Sequence, residues 1–264
     1  EEIKSLANSW VKEITLVGQN VNSYWKQQNK ALWNEEKSKW NDWAWISPFR
    51  ELLDEINKIE WIDRIRFTSS NPHDMTNDIL DAHFDCDKVC NYLHFALQSG
   101  NDEILKRMNR RHTYADFKKQ VEYLRSKDPL FSISTDIIVW FSGETDEMFE
   151  DTIKAIRELE IDFVYIARYS VRPWTIASKI YKDDVPTSKK AERWHILNNV
   201  LEENVEKRFK LMVGKSFKVL INWEKDWEFF GRTRNFKEVF FPKVDWVNIW
   251  DLVDVNITWY NKWN

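Results

Sequence analysis

Apolar positions along the 264-residue chain fall into two alternating kinds of run. Short solid runs at residues 13–18, 64–67, 92–97, 131–139 and 163–169 predict strands. Between them the spacing becomes helical. Phe49, Leu52, Leu53, Ile56 and Ile59 share one face, a second helix is expected near residues 75–84, and Phe149, Ile153, Ile156 and Leu159 form a third stripe. Residues 2–10 read as the end of a helix, with Ile3 and Leu6 on one side. Helix starts are marked chemically. Asp102 and Glu103 follow Gly100 and suit the positive end of a helix dipole. Thr113-Tyr-Ala-Asp116 has the spacing of a capping box, and Thr145 caps the helix that carries Phe149. Residues 20–48 carry no period and predict a long loop. Five strand–helix units in alternation predict a parallel β/α architecture, with functional groups at the C-terminal ends of the strands. Five such strands do not close a barrel comfortably, and a sixth before residue 1 would help.

Pro186-Thr-Ser188 opens a final long helix, predicted to run to about Met212 with Ile196, Val200, Val205 and Phe209 inward. The pattern then changes. Residues 215–221, 229–234, 238–241 and 252–258 are short β-rich runs separated by turns, which predicts a small antiparallel barrel.

Hydrophobic residues make up 43% of the chain, enough for a substantial core, and the net charge of -4 provides no global basic footprint for nucleic acid. No run of 18 apolar residues exists and the N-terminus has no signal-peptide pattern, so a cytoplasmic protein without a membrane span is expected. The two cysteines, Cys86 and Cys90, are too few for a disulfide framework and too few for a cluster that needs at least three thiolates. None of the histidines has metal-ligand spacing.

Three segments place polar groups at strand ends. His94-Phe-Ala-Leu-Gln-Ser-Gly100 ends a strand and opens a helix, where backbone N–H groups bind carboxylate or ribose, or simply make an ordinary turn. Thr135-Asp-Ile-Ile-Val-Trp-Phe-Ser-Gly-Glu-Thr145 repeats that arrangement, with Glu144 as ligand contact or as part of the cap. Arg172-Pro-Trp-Thr175 follows the last strand. In the tail, Lys207, Arg208, Lys210, Lys215, Lys218, Arg232 and Arg234 interleave with Phe229, Phe230 and Phe236. That is the composition of a basic–aromatic nucleic-acid surface, or equally of a solvated face over a small core.

Longer strings add a resemblance. Lys12-Glu-Ile-Thr-Leu-Val-Gly-Gln-Asn-Val-Asn-Ser-Tyr24, Arg66-Phe-Thr-Ser-Ser-Asn-Pro-His-Asp-Met-Thr76, Leu97-Gln-Ser-Gly100, Met108-Asn-Arg-Arg111, Ser134-Thr-Asp-Ile-Ile-Val139, Gly143-Glu-Thr145 and Tyr169-Ser-Val-Arg-Pro173 closely resemble the radical-SAM tRNA methylthiotransferase family of MiaB type. Val213-Gly-Lys215 and Gly231-Arg-Thr-Arg-Asn235 resemble its RNA-binding TRAM domain. The resemblance covers nearly the whole chain. It implies an α/β fold: a partial open (β/α)6 radical-SAM barrel at 1–207 with its first strand missing, then a small antiparallel β-barrel TRAM domain at 208–264. The string Gln19-Asn-Val-Asn-Ser-Tyr24 favours the tRNA branch over the relative that modifies a ribosomal-protein aspartate.

The resemblance also implies a reaction, the methylthiolation of C2 of an N6-isopentenylated adenosine at tRNA position 37, beside the anticodon. Its cofactors are S-adenosylmethionine and two 4Fe–4S clusters, and its partners are tRNA and S-adenosylmethionine; a monomer is expected. By family position, Gln19, Gln98, Ser99, Asp136 and Glu144 fall in the S-adenosylmethionine pocket, and Lys215, Arg232 and Arg234 on the RNA surface. The sequence departs from the family in lacking the C-x3-C-x2-C loop that holds the catalytic cluster. The chain begins where the family's first barrel helix is ending, so this stretch by itself is expected to be inactive. A noncatalytic RNA-binding module is the alternative.

One number is abnormal. The chain has 16 Trp and 5 Gly, and Trp10, Trp25, Trp61, Trp140, Trp174 and Trp250 stand where the resembling family has glycine, at turns and close approaches. Most of these are expected to be glycines encoded by UGA, a codon some bacteria read as glycine, rendered as tryptophan. The competing expectation is a tryptophan-rich surface for base stacking. Trp194, inside a predicted helix, is expected to be genuine.

Overall fold

A computed structural model describes residues 1–24, 46–183 and 185–261. Trp25 and most of the predicted loop at 20–48 lie outside the described residues. The chain divides into two compact units, Glu1–His94 with Lys218–Val253, and Phe95–Phe217 with Asp254–Asn264.

The first unit opens with helix α1 (Glu2–Asn8) and strand β1 (Glu13–Leu16), which pairs in parallel with β2 (Arg64–Phe67), Ile14 opposite Ile65. Between them α2 (Pro48–Asn57) is started by Ser47, whose hydroxyl accepts from Arg50 N–H, and by Pro48, whose missing N–H falls where a helix has no use for one. Its Phe49, Leu53 and Ile56 are buried, as their spacing predicts. The helix expected near 75–84 is α3 (Asn77–Asp85), preceded by a 3-10 turn at Pro72–Asp74 that Asn71 caps. Strand β3 (Tyr92–His94) follows.

The same unit contains most of the terminal sheet. Strands β6 (Ser216–Lys225), β7 (Glu228–Thr233), β8 (Glu238–Pro242) and β9 (Leu252–Asn256) lie in the order β8-β7-β6-β9. The β6–β7 and β7–β8 pairs are antiparallel. Of the expected small antiparallel barrel, the described residues show this four-stranded sheet. Gly231 admits no side chain, because a Cβ there would sit 2.4 Å from Leu220 O on the neighbouring strand. Three arginines fasten this sheet to the opening strands. Arg64 Nη1 and Nη2 donate to Arg232 O and Lys218 O at 2.5 and 2.9 Å. Arg66 donates to Arg234 O and Thr233 O at 2.9 Å each. In the return direction Arg234 donates to Asp87 O, Val89 O and Asn91 Oδ1. Arg64 and Arg66 are almost wholly buried, with Glu13 beside both. Each guanidinium thus exchanges water for fixed acceptors, as a buried charge must.

The second unit contains α4 (Asp102–Arg107), α5 (Tyr114–Lys127), β4 (Ser132–Val139), α6 (Asp146–Glu158), β5 (Phe163–Arg168), the short α7 (Ile176–Ile180) and the long α8 (Thr187–Lys210). Strands β4 and β5 pair in parallel, Asp136 opposite Tyr165. The capping box at Thr113 and Asp116 forms in both directions, and Thr145 Oγ1 accepts from Met148 N–H. The strand predicted for 92–97 stops at His94. Beyond it Thr135 Oγ1 accepts from Leu97 N–H and donates to Phe95 O, replacing the backbone ladder with a side chain.

The predicted inner face of the long helix holds at Val200 but not at Ile196. Ile196 is exposed, and the buried stripe is Lys190, Arg193, Leu197, Val200, Leu201, Asn204 and Arg208. Hydrophobic periodicity misses this face because four of its seven residues are charged or polar, and each has at least one specific partner. Lys190 reaches Tyr169 O and Asp183, Asn204 donates to Ile156 O, and Arg208 meets Asp162, Pro129 O and Phe131 O.

Candidate functional site

In the second unit, strand ends and turns converge on a cavity of about 330 Å³ lined by Gln98, Asp136, Ile138, Tyr165, Ile166 and Ala167. Gln98 is at its edge because its backbone bridges to β4: its N–H donates to Asp136 O at 2.8 Å and its carbonyl accepts from Ile138 N–H at 3.0 Å. To do so Gln98 adopts φ 76°, a left-handed conformation that a non-glycine residue holds only where its surroundings dictate it. Arg110, in the loop between α4 and α5, is within electrostatic reach of Asp136. Burial pushes its guanidinium below the usual range, the carboxylate opposing that shift, and its buried Nε has no hydrogen-bond partner. The lining offers an amide, a carboxylate and a phenol beside apolar side chains, with the Arg110 guanidinium in electrostatic reach of the carboxylate. Such a set suits a ligand with a polar sugar-like edge and a planar apolar body.

Ser99 and Gly100 serve the frame of this site. Ser99 is fully buried, with its hydroxyl 3.3 Å from Thr152 Oγ1 and accepting from Asn101 N–H. Gly100 lies against α6, where a Cβ would meet Asp151 O at 2.6 Å and Thr152 Cα at 2.7 Å. Asn101 caps α4 and also donates to Asp151 Oδ2 at 2.8 Å.

Glu144 is likewise turned to protein. One carboxylate oxygen accepts from Trp140 N–H at 2.6 Å and from Arg193 Nη1 at 2.7 Å, while Arg193 Nη2 reaches Asp146 at 2.7 Å. Burial pushes the Glu144 carboxyl up to about 7, against the lowering effect of Arg193 and of the Trp140 N–H. Of the five residues expected at the cofactor pocket, the structure thus brings Gln98 and Asp136 together on one cavity, sets Ser99 behind it and pairs Glu144 with Arg193. Gln19 belongs to the first unit and is exposed.

The residues expected on the RNA surface also separate. Lys215 is exposed. Arg232 lies over the Phe236 ring, 4.7 Å from its centroid. Arg234, half-exposed, is fastened to the turn before β3 by the three hydrogen bonds above. Sequence reasoning did not single out Arg110, Tyr165, Arg193 or the Arg64–Arg66 pair. Arg110 and Arg66 carried a signal, the Met108-Asn-Arg-Arg111 string and the string that begins at Arg66. The others are marked only by partners distant in the chain.

The cysteines do not fit an iron–sulfur cluster. Burial pushes the Cys86 thiol up to about 12, and its Sγ donates to Asp54 at 3.2 Å. Cys90 is buried and its thiol is also pushed up. Among the described residues no three His, Cys, Asp or Glu side chains converge as a metal site. No helix among them is long and apolar enough to cross a membrane.

Residues 1–156 match the radical SAM superfamily. Over its full length the chain is 38% identical to the tRNA-2-methylthio-N(6)-dimethylallyladenosine synthase of Clostridium novyi, covering 55% of that protein. Over 84% of its length it is 41% identical to the protein of the same name from Caldicellulosiruptor saccharolyticus, covering 44% of it. It therefore spans about half the length of the curated relatives it matches. Among solved structures, coproporphyrinogen III oxidase of Escherichia coli, a radical SAM enzyme, aligns with 16% identity and a TM-score of 0.48, over 84% of this chain and 58% of that one. With the match extending over residues 1–156, the chain belongs to the radical SAM superfamily.

Proposed function

We propose that the chain is part of an enzyme that methylthiolates C2 of N6-isopentenyladenosine at position 37 of tRNA, working in the cytoplasm as a monomer. The observation that carries this reading is the 38% identity, across all of this chain, to a protein named for that modification. The cavity agrees in chemistry. Gln98 and Asp136 would hold the ribose edge of S-adenosylmethionine, Arg110 would balance the carboxylate, and Ile138 and Ala167 would flank the base. When bound, S-adenosylmethionine supplies the radical-forming sulfonium and the methyl group. Cys86 and Cys90 have the wrong number and surroundings to hold an iron–sulfur cluster. The domain reading, 1–207 as catalytic barrel and 208–264 as RNA-binding module, belongs to the same proposal, with Lys215 and Arg232 on the RNA side.

The test is genetic. Deleting the gene should abolish 2-methylthio-N6-isopentenyladenosine in tRNA hydrolysates from the host, read by nucleoside mass spectrometry, while N6-isopentenyladenosine accumulates. Unchanged levels of the methylthiolated nucleoside overturn the reading. The second reading is a noncatalytic RNA-binding module, suggested by the basic and aromatic residues of the tail. That reading predicts tRNA binding by the purified chain together with an unchanged nucleoside profile in the deletion strain.

A further inference from the structure

The left-handed region of backbone space is open to glycine and nearly closed to bulky side chains, so only a few per cent of non-glycine residues occupy it, with Asn and Asp in the lead. Among the described residues eleven non-glycine positions have such a φ, and five of them are tryptophan: Trp10 at 66°, Trp61 at 71°, Trp140 at 59°, Trp174 at 74° and Trp250 at 76°. Six of the chain's 16 tryptophans, at positions 25, 33, 40, 43, 45 and 263, fall outside the described residues, which leaves ten. Half of the described tryptophans are therefore in a conformation that an indole-bearing residue almost never adopts. The values match those of Gly143 and Gly214, at 77° and 79°, the two glycines of this chain that use the same region.

Local structure explains why the backbone turns there. Trp10 ends the turn after α1, with its N–H donating to Ala7 O, and Trp61 lies between α2 and β2. Trp140 is the first residue beyond β4, Trp174 precedes the cap of α7, and Trp250 lies just before β9. These are helix-end and strand-end positions of the kind that recruit glycine. The side chains give little in return. Trp174 is 93% exposed, Trp10 71%, Trp61 54% and Trp250 52%. Trp140 differs, since its Nε1 donates to Lys189 O and its ring lies under Arg193. Trp194, by contrast, is inside α8 at an ordinary helical φ, and its Nε1 donates to Ile166 O at 3.1 Å.

From these torsions we infer that positions 10, 61, 140, 174 and 250 are glycine in the protein the cell makes, encoded by UGA codons that its ribosomes read as glycine, whereas Trp194 is tryptophan. The alternative, a surface of indoles for stacking bases, gives no reason for tryptophan to coincide with left-handed torsions: stacking needs an exposed ring, and an exposed ring is available from any surface backbone conformation. The inference is independent of the proposed function, because it rests on torsions and on the count of two residue types.

Two measurements test it. Codons are read from the gene, and the protein purified from its own host is digested and sequenced by mass spectrometry. UGA at the five positions with glycine-containing peptides, and UGG at 194 with a tryptophan-containing peptide, is the expected result. UGG codons at the five positions, or tryptophan in those peptides, overturn it. The second measurement uses the chain made in a standard host with tryptophan throughout. Trp174→Gly, and Trp10→Gly with Trp61→Gly, should raise the melting temperature, and Trp194→Gly should lower it. A lowered melting temperature in the first two variants overturns the inference. If the tryptophan-bearing chain does not fold at all, the peptide masses still decide the matter.

Discussion

Both units bury arginine, but they satisfy it differently. In the first, Arg64, Arg66 and Arg234 donate mainly to backbone carbonyls, a set of acceptors without charge of their own. In the second, guanidinium groups meet buried carboxylates in addition to backbone carbonyls. Arg193 meets Glu144, and Arg125 and Arg208 share Asp162, which also accepts from Ile133 N–H. The first arrangement is a clamp between strands. The second is a set of coupled charges under the long helix. Carbonyl acceptors keep their strength at any ordinary pH, while carboxylate acceptors bind tightly and bring a titration with them.

The largest effect should come from breaking the charge set. Asp162→Ala leaves two buried guanidinium groups facing each other, and urea denaturation should show a loss of about 3–5 kcal/mol. A loss below about 1 kcal/mol would mean water already reaches this cluster. Arg66→Met tests the clamp. It strands two carbonyls and Glu13 without adding a charge, so about 1–3 kcal/mol is expected in the same assay. An effect equal to that of Asp162→Ala would erase the distinction drawn here.

The third prediction concerns pH. The Glu144 carboxyl, near 4.5 when unfolded, is raised to about 7 by burial in the folded chain. The folded state then holds the proton more tightly than the unfolded one. Its stabilising effect is complete below pH 4.5 and disappears as pH rises through 7. Denaturation midpoints measured across this window should fall with pH, and Glu144→Gln should flatten the slope. A rising slope would show that Arg193 outweighs burial. Smallest of all should be the effect of Lys215→Ala, which is expected to leave stability within about 0.5 kcal/mol. If the tail binds tRNA, that variant should reduce the salt slope of binding by about one unit. Arg232→Ala should act on binding in the same way. Arg234→Ala should instead lower the denaturation midpoint, because its three acceptors belong to the protein.

The contrast also explains what was legible in the sequence. Helix starts at Ser47, Thr113 and Thr145, and the apolar strands at 64–67 and 132–139, are written in local chemistry within four residues. The Gln98–Asp136 cavity was half legible, through strand-end polar residues, but Tyr165 joins it only through the fold. The buried face of α8 was illegible because Lys190, Arg193 and Arg208 look like solvated positions until Asp183, Glu144 and Asp162 are seen beneath them. The protein contacts of Arg234 were illegible for a related reason. A carbonyl acceptor has no residue type, so a guanidinium aimed at three main-chain or amide oxygens is indistinguishable in sequence from one aimed at phosphate.

The clamp imposes an order on folding. Arg64 and Arg66 find their acceptors some 154 to 168 residues further along the chain. During synthesis β1 and β2 emerge from the ribosome long before β6 and β7 exist. Until then two guanidinium groups at the heart of the first unit stay hydrated and keep that unit from closing. Contacts of such long sequence separation form late and slow the reaction, because a large loop must close before anything is gained. Strands β1 and β2 are thus held in waiting until β6 and β7 have been made.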